Sequence, residues 1–373
     1  MKLEELKTPC YIIDEGQLIK NLEILKSVED ETGCKILLAQ KCFSGFCEYP
    51  LIGSYISGTT ASGLYEARLG YEEMKKENHV FSPAYKEEDM EELVQICDHI
   101  VFNSFSQLEK YKDCCKGVSL GIRINPECST QGDHAIYDPC APGSRLGVTI
   151  EHFREDLLPH IEGFHFHTLC EQNSDDLEKT LDAVEEKFGK YLYQMKWLNF
   201  GGGHHITRAD YDLERLKKCI LRMKEKYNLE IYLEPGEAVA LNAGYLATTV
   251  LDVVKNGIST LILDASAACH MPDVLEMPYR PPLKDSGEAE EKEYNYRLSS
   301  FTCLAGDIIG DYSFDKEMKT GDRLYFEDMA IYSMVKNNTF NGIPLPDIAV
   351  MDKNGECKVI RHFGYEDFKN RLS

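Results

Sequence analysis

The sequence predicts an α/β chain: a (β/α)8 TIM-like barrel with a second, all-β domain built from the C-terminal part plus the N-terminal strand. Three observations predict it. Short apolar runs alternate with helix-spaced stretches eight times between residues 34 and 236. After Glu237 the long helical spacings stop and β-like runs follow one another. The residues able to do chemistry fall at the C-terminal ends of the apolar runs, where barrels carry their sites. The expected boundaries are 1–14 for the strand that joins the β domain, 15–240 for the barrel and 241–373 for the C-terminal β domain.

In order, Thr8–Asp14 reads as a strand, and Leu18, Leu22, Leu25 and Val28 give 15–31 a helical spacing. The eight strands are expected at 34–40, 55–61, 79–84, 99–104, 119–126, 161–168, 197–203 and 229–236. Helices are expected at 63–76, 87–97, 106–115, 150–160, 174–191 and 209–227, with Ser106, Ser174 and Thr207 as N-caps. In the second domain, strands are expected at 245–254, 259–266, 294–303, 322–329 and 357–362, with 281–292 a charged loop. A doubly wound sheet is the competing architecture, but Gly201–Gly203 lacks the G-x-G-x-x-G pattern such a sheet would carry on its first strand.

Composition excludes several classes. The formal charge of −22 over 373 residues opposes nucleic-acid binding, since phosphates call for Lys and Arg. Such a charge attracts cations, although acidity also serves solubility alone. The 14 cysteines are scattered, no C-x-x-C occurs, and reduced thiols in a cytoplasm are expected. No leader is evident, and no run approaches the roughly 20 apolar residues of a membrane span.

Several residues admit both a chemical and a plain reading. Lys41 follows the apolar run 36–39. Buried there, its amine would lose its proton readily and act as a nucleophile; otherwise it is a solvated loop lysine. Asn103, Arg123, His167, Gly201–Gly203 and Glu234 occupy the corresponding ends of other strands, which favours the chemical reading. Gly201–Gly203 is either an anion cradle of backbone N–H groups or a tight strand-to-helix turn. Glu234 needs a protonated partner, either a ligand or a neighbour in the barrel mouth. His165 and His167 share a face, and with His204, His205, His270 and Asp264 they suggest a metal hydrolase. No bridging lysine completes such a site, so no metal is expected.

Lys41, His167 in His-Phe-His-Thr, Gly201–Gly203, Glu234-Pro-Gly236, Cys303-Leu-Ala-Gly-Asp307 and Tyr332 together resemble the alanine-racemase-like, fold-type III decarboxylases that use pyridoxal phosphate. Within that family the resemblance is to the branch acting on carboxynorspermidine and carboxyspermidine. Gln40–Ser44, Phe164–Glu171, Asn199–Thr207, His270–Val274 and Phe340–Pro344 carry it, end to end. The resemblance implies that Lys41 bears pyridoxal 5'-phosphate covalently. Glu234 would hydrogen-bond its ring nitrogen, His167 stack on its ring, and Gly201, Gly202, Gly203 and Tyr332 hold its phosphate. Cys303 would reprotonate the product carbon, and Asp307 position the substrate amine. A homodimer with shared sites is also implied. One departure bears on specificity: the wider family usually has Arg after Glu-Pro-Gly, and this chain has Glu237. Glu237 and Asp273 are therefore expected to bind the protonated amines of a carboxylated polyamine, with a surface carboxylate as the plain alternative for each. The rival functions are diaminopimelate or ornithine decarboxylation, and a catalytically silent cofactor-binding regulator.

Overall fold

The computed structural model describes residues 1–132 and 135–373. They form two compact units, one of Asn21–Val239 and one of Met1–Lys20 with Ala240–Ser373. Strand β1 (Cys10–Asp14) leads into helix α1 (Glu15–Thr32). The barrel then consists of β2 (Lys35–Ala39), β3 (Gly58–Ala61), β4 (Glu77–Phe81), β5 (His99–Phe102), β6 (Ser119–Arg123), β7 (Gly163–His165), β8 (Trp197–Asn199) and β9 (Glu230–Leu233). These close in sequence order, parallel throughout, with β9 pairing back onto β2. A parallel strand in a barrel is covered on both faces, so it must be apolar along its length. Thus Ile36, Leu37, Leu38 and Ala39 are all buried.

Between the strands run α2 (Tyr49–Tyr55), α3 (Leu64–Leu69), α4 (Glu87–Ile96), α5 (Phe105–Tyr111), α6 (Ser174–Leu192) and α7 (Leu213–Tyr227). Each lays one stripe on the barrel. On α6 the stripe is Leu177, Leu181, Val184, Phe188 and Leu192, the helical period.

The eight-strand barrel is as the sequence predicts, but local details differ. The N-caps are Ser104, Asn173 and Asp212 rather than Ser106, Ser174 and Thr207. Phe105 is buried in the first turn of α5, which moves that cap upstream. Asn173 Oδ1 accepts from the N–H groups of both Ser174 and Asp212, so one side chain anchors the starts of two helices. Thr207 instead donates to the Ala238 carbonyl at 2.7 Å. The helix expected at 150–160 is two short 3-10 stretches, Ile150–His152 and Glu155–His160. Pro159 lacks the N–H that an α-helix would use there.

The second unit is a sheet in the order β13–β12–β11–β10–β1–β15–β16, with β14 also pairing onto β10. Its C-terminal strands are β10 (Gly244–Asn256), β11 (Ile258–Leu263), β12 (Tyr294–Ser300), β13 (Ile308–Phe314), β14 (Arg323–Glu327), β15 (Asp347–Met351) and β16 (Cys357–Arg361). β1 lies between β10 and β15, with Tyr11 opposite Leu246 and Ile348. The N-terminal strand is thereby a central member of this sheet. Strands β13 and β15 were not among those expected from the sequence. Among the described residues, no helix is long and apolar enough to cross a membrane.

Candidate active site

At the C-terminal end of β2 the backbone is held on both sides. Gln40 N–H donates to Thr60 O at 3.2 Å and Ala39 N–H to Pro235 O at 3.1 Å. Lys41 follows in a turn closed by Cys42 N–H to Ala39 O at 3.1 Å. Its side chain reaches the open space of a cavity of about 610 Å³ while barrel walls surround it. That enclosure lowers the pKa of its amine, and the nearby Arg123 guanidinium lowers it further, against the pull of Glu234.

Glu234, at the end of β9, is 7 % exposed and faces the same cavity. His165 Nε2 lies 3.0 Å from its Oε2, and Asn199 Nδ2 donates to its Oε1 at 2.7 Å. Burial alone would raise its pKa; His165, then the charge interaction with His79 and the Asn199 hydrogen bond, outweigh that and hold it at about 2, an anion at neutral pH. Phe81 stacks on the other side of His165, with centroids 5.3 Å apart. Arg123 covers Phe81 at 4.6 Å and donates through Nη2 to the His167 carbonyl at 2.9 Å. Arg123 as a residue is 5 % exposed.

His167 lines the cavity, and burial pushes its pKa well down, so the ring is neutral. Its Nδ1 accepts the Gly202 N–H at 2.9 Å, which places the ring hydrogen on Nε2. Gly201 and Gly203 have φ of 68° and 82°. A Cβ at Gly203 would stand 1.9 Å from the Leu169 carbonyl oxygen, so only glycine fits this close approach. Gly201 N–H donates to Asn199 Oδ1 at 2.8 Å. The expectation that all three glycine N–H groups face an anion is thus corrected. Those of Gly201 and Gly202 are used within the barrel, and that of His205 goes to Gln172 O at 3.2 Å, which leaves Gly203 as the candidate.

The cavity's far wall is the segment Ile136–Leu146, a feature not singled out from the sequence, although Pro139, Pro142 and Gly143 mark it as ordered turns. Asn103 fastens it: Nδ2 donates to Arg145 O at 2.8 Å, and Oδ1 accepts Gly147 N–H at 2.7 Å. His165 and Asn199, which hold Glu234, could be found only once the strands were placed side by side. Glu237 opens the short helix α8 (Glu237–Ala240) and is partly buried.

In the second unit, Cys303 is exposed, and its N–H donates to Asn341 Oδ1 at 2.6 Å. Tyr332 is half-buried with φ of 50°. Asp273 is ion-paired with Lys336. Asp307 is corrected from a substrate contact to a structural carboxylate, because it is 1 % exposed and its oxygens are saturated. Oδ1 accepts Ala267 and Ala268 N–H, and Oδ2 accepts the hydroxyls of Ser266, Ser300 and Thr302. The histidines weighed for a metal go to separate partners. His204 meets Phe200 O at 3.3 Å, His205 meets Arg208, and His270 meets Pro344 O at 3.1 Å. Asp264 accepts from Thr8, Thr248 and Thr249.

The family described as "Pyridoxal-dependent decarboxylase, C-terminal sheet domain" matches residues 10–330. A carboxynorspermidine/carboxyspermidine decarboxylase of Campylobacter jejuni is 43 % identical, with all of both chains covered. A carboxyaminopropylagmatine decarboxylase of Synechocystis is 42 % identical, covering 100 % of this chain and 97 % of its own. The crystal structure of the C. jejuni carboxynorspermidine decarboxylase complexed with norspermidine superposes with a TM-score of 0.92 at 43 % identity, covering 98 % of this chain and 100 % of that one.

Proposed function

Because the chain belongs to the pyridoxal-dependent decarboxylases, we propose that its substrate is a carboxylated polyamine, carboxynorspermidine or carboxyspermidine, converted to norspermidine or spermidine and CO2. The observation that carries the substrate class is Glu237, an acid directly after Glu234-Pro-Gly236. Its charge suits a protonated amine of the substrate, where an arginine would suit a second carboxylate. The full-length likeness to two decarboxylases of carboxylated polyamines supports the same class.

The barrel residues fit the cofactor. An anionic, buried Glu234 facing the cavity suits a protonated ring nitrogen, and Lys41, whose pKa is lowered, suits covalent attachment to an aldehyde. Bound pyridoxal phosphate supplies the electron sink for the carbon that loses CO2. Lys41 would hold it and yield it to the substrate's α-amine. Glu234, fixed by His165 and Asn199, would keep a proton on the ring nitrogen. His167, fixed in orientation by Gly202 N–H, would flank the ring. Gly203 and Tyr332 would take the phosphate. The Cys303 thiol would give its proton to the carbon that CO2 has left, acting across a homodimer. Asp273 would receive a distal amine by exchanging Lys336 for it.

A substrate panel tests the class. CO2 release is expected from carboxynorspermidine and carboxyspermidine and not from diaminopimelate or ornithine; turnover of diaminopimelate alone would sink the proposal. Carboxyaminopropylagmatine belongs in the panel because one relative at 42 % identity is named for it. The shared site has its own test. Mixing Lys41→Ala with Cys303→Ala subunits is expected to restore part of the activity, and no recovery would argue for a site within one chain.

A further inference from the structure

The opposite end of the barrel holds a second buried cluster, which decarboxylation does not use. β4 begins with Glu77 and carries His79 two residues on, on the same face. β5 begins with His99, the partner of His79 across the ladder. The two imidazoles stack with centroids 3.9 Å apart and planes 16° from parallel. His79 Nε2 lies 2.9 Å, and His99 Nε2 3.8 Å, from Glu77 Oε1. His79 is 1 % and His99 8 % exposed, and the Nδ1 of each has no hydrogen-bond partner. Hydrogen bonding within the chain satisfies His79 Nε2 through Glu77 and leaves both buried Nδ1 atoms without a partner.

We propose that Glu77, His79 and His99 form a binding site for a divalent transition-metal ion of the zinc class. One ligand atom from each residue lies within 4.8 Å of the other two. In a tetrahedral zinc site with bonds of about 2.0–2.1 Å, ligand atoms stand about 3.3 Å apart, so each side chain has to move by less than about 1 Å. Two imidazoles and one carboxylate suit zinc, cobalt or nickel, not magnesium or calcium, which prefer all-oxygen shells. Lys35 pairs with the other carboxylate oxygen, Glu77 Oε2, at 2.8 Å and with Glu230 at 2.9 Å, while the Tyr232 hydroxyl donates to Glu77 Oε1 at 2.8 Å, a bond the ion would replace. Two carboxylates facing one ammonium leave a net negative charge for the ion. A cavity of about 760 Å³, lined by Glu77, His99, Glu230 and Tyr232, gives an entry path and room for a water as fourth ligand.

The test uses tag-free holoenzyme in which borohydride has fixed the cofactor to Lys41. Reduction removes the cofactor's visible absorbance, and the histidine variants below separate metal held by the cluster from metal held by the cofactor. After treatment with a chelator, Co2+ is titrated in. One Co2+ per chain, a visible d–d band, displacement by Zn2+ and a higher thermal midpoint are expected. His79→Gln and His99→Gln should each lose the band and the midpoint shift while retaining the barrel's circular dichroism. No band in the wild type at tenfold excess of metal overturns the proposal, as does a band that survives both substitutions. Should neither variant fold, an anomalous map of wild-type crystals soaked in Zn2+ decides: a peak beside Glu77 Oε1 and the Nε2 atoms of His79 and His99 supports the site, and its absence overturns it. None of these readouts depends on which amine the enzyme decarboxylates.

Discussion

The two lysines that flank β2 live in the same barrel and have opposite chemistry. Lys35 starts the strand at the N-terminal end, and Lys41 stands just past its C-terminal end. Lys35 is half-buried and Lys41 opens onto its cavity between the barrel walls, and for both desolvation by the surrounding protein is the largest influence on the amine, pushing its pKa down. At Lys35, ion pairs with Glu77 and Glu230 reverse that effect and the pKa is raised. At Lys41 the next influence is the like charge of Arg123, and the pKa stays lowered. Glu234, the acid that could have neutralised Lys41, is itself held by His165 and Asn199. A nucleophile is thus made by diverting the local carboxylate, not by burial alone.

Exchanging the two lysines' fates gives the largest expected effect. Lys41→Ala is expected to remove the visible absorbance of the bound cofactor and to lower kcat by roughly 10³-fold or more, the scale of losing a group central to the chemistry. Lys35→Ala should keep the absorbance. If Lys35→Ala alone bleached the protein, the contrast between the two ends would be false. The same comparison applies to the two glutamates. Glu234→Gln preserves shape and removes the charge, so kcat should fall by about 10²–10³-fold. Glu77→Gln, at the other end, should leave kcat near the wild-type value. It should instead lower the urea-unfolding free energy by about 1–3 kcal/mol, because Lys35 would lose one of its two charged partners.

These contrasts also mark what a linear reading can reach. The apolar runs set the eight strands, and strand ends set the ring of candidate residues, so the placing of Lys41, His167 and Glu234 along one cavity is legible in the chain itself. Their supports are not. Whether His165 or His167 contacts Glu234 depends on which side chain meets a residue 69 positions away across the barrel. His79 and His99 are 20 residues apart and become neighbours only through the register of β4 and β5. Asp307 in a polar loop looks available for an amine; Ser266, Ser300 and Thr302 converge on it only when the sheet forms. Charge and periodicity are local properties, whereas saturation of a carboxylate depends on distant parts of the chain.

The smallest expected effect is the sharpest probe of the comparison, because it turns on sign. A lysine whose folded pKa is below its ordinary 10.5 binds its proton less well folded than unfolded. Stability then rises as pH climbs from that lowered value towards 10.5. A lysine whose folded pKa is raised stabilises fully below 10.5 and loses that contribution as pH climbs through the raised value. In the cofactor-free protein, Lys41→Met should therefore stabilise at neutral pH and flatten the alkaline rise, whereas Lys35→Met should destabilise at neutral pH. Competitive acetylation read by mass spectrometry follows the amines directly. Lys41 should become reactive at lower pH than Lys35. Arg123→Met should move the Lys41 midpoint up, since a repelling charge is gone, and Glu234→Gln should move it down, since an attracting one is gone. If both substitutions shifted it the same way, the Lys41 amine would be tuned by enclosure alone, and the electrostatic contrast between the ends of β2 would fail.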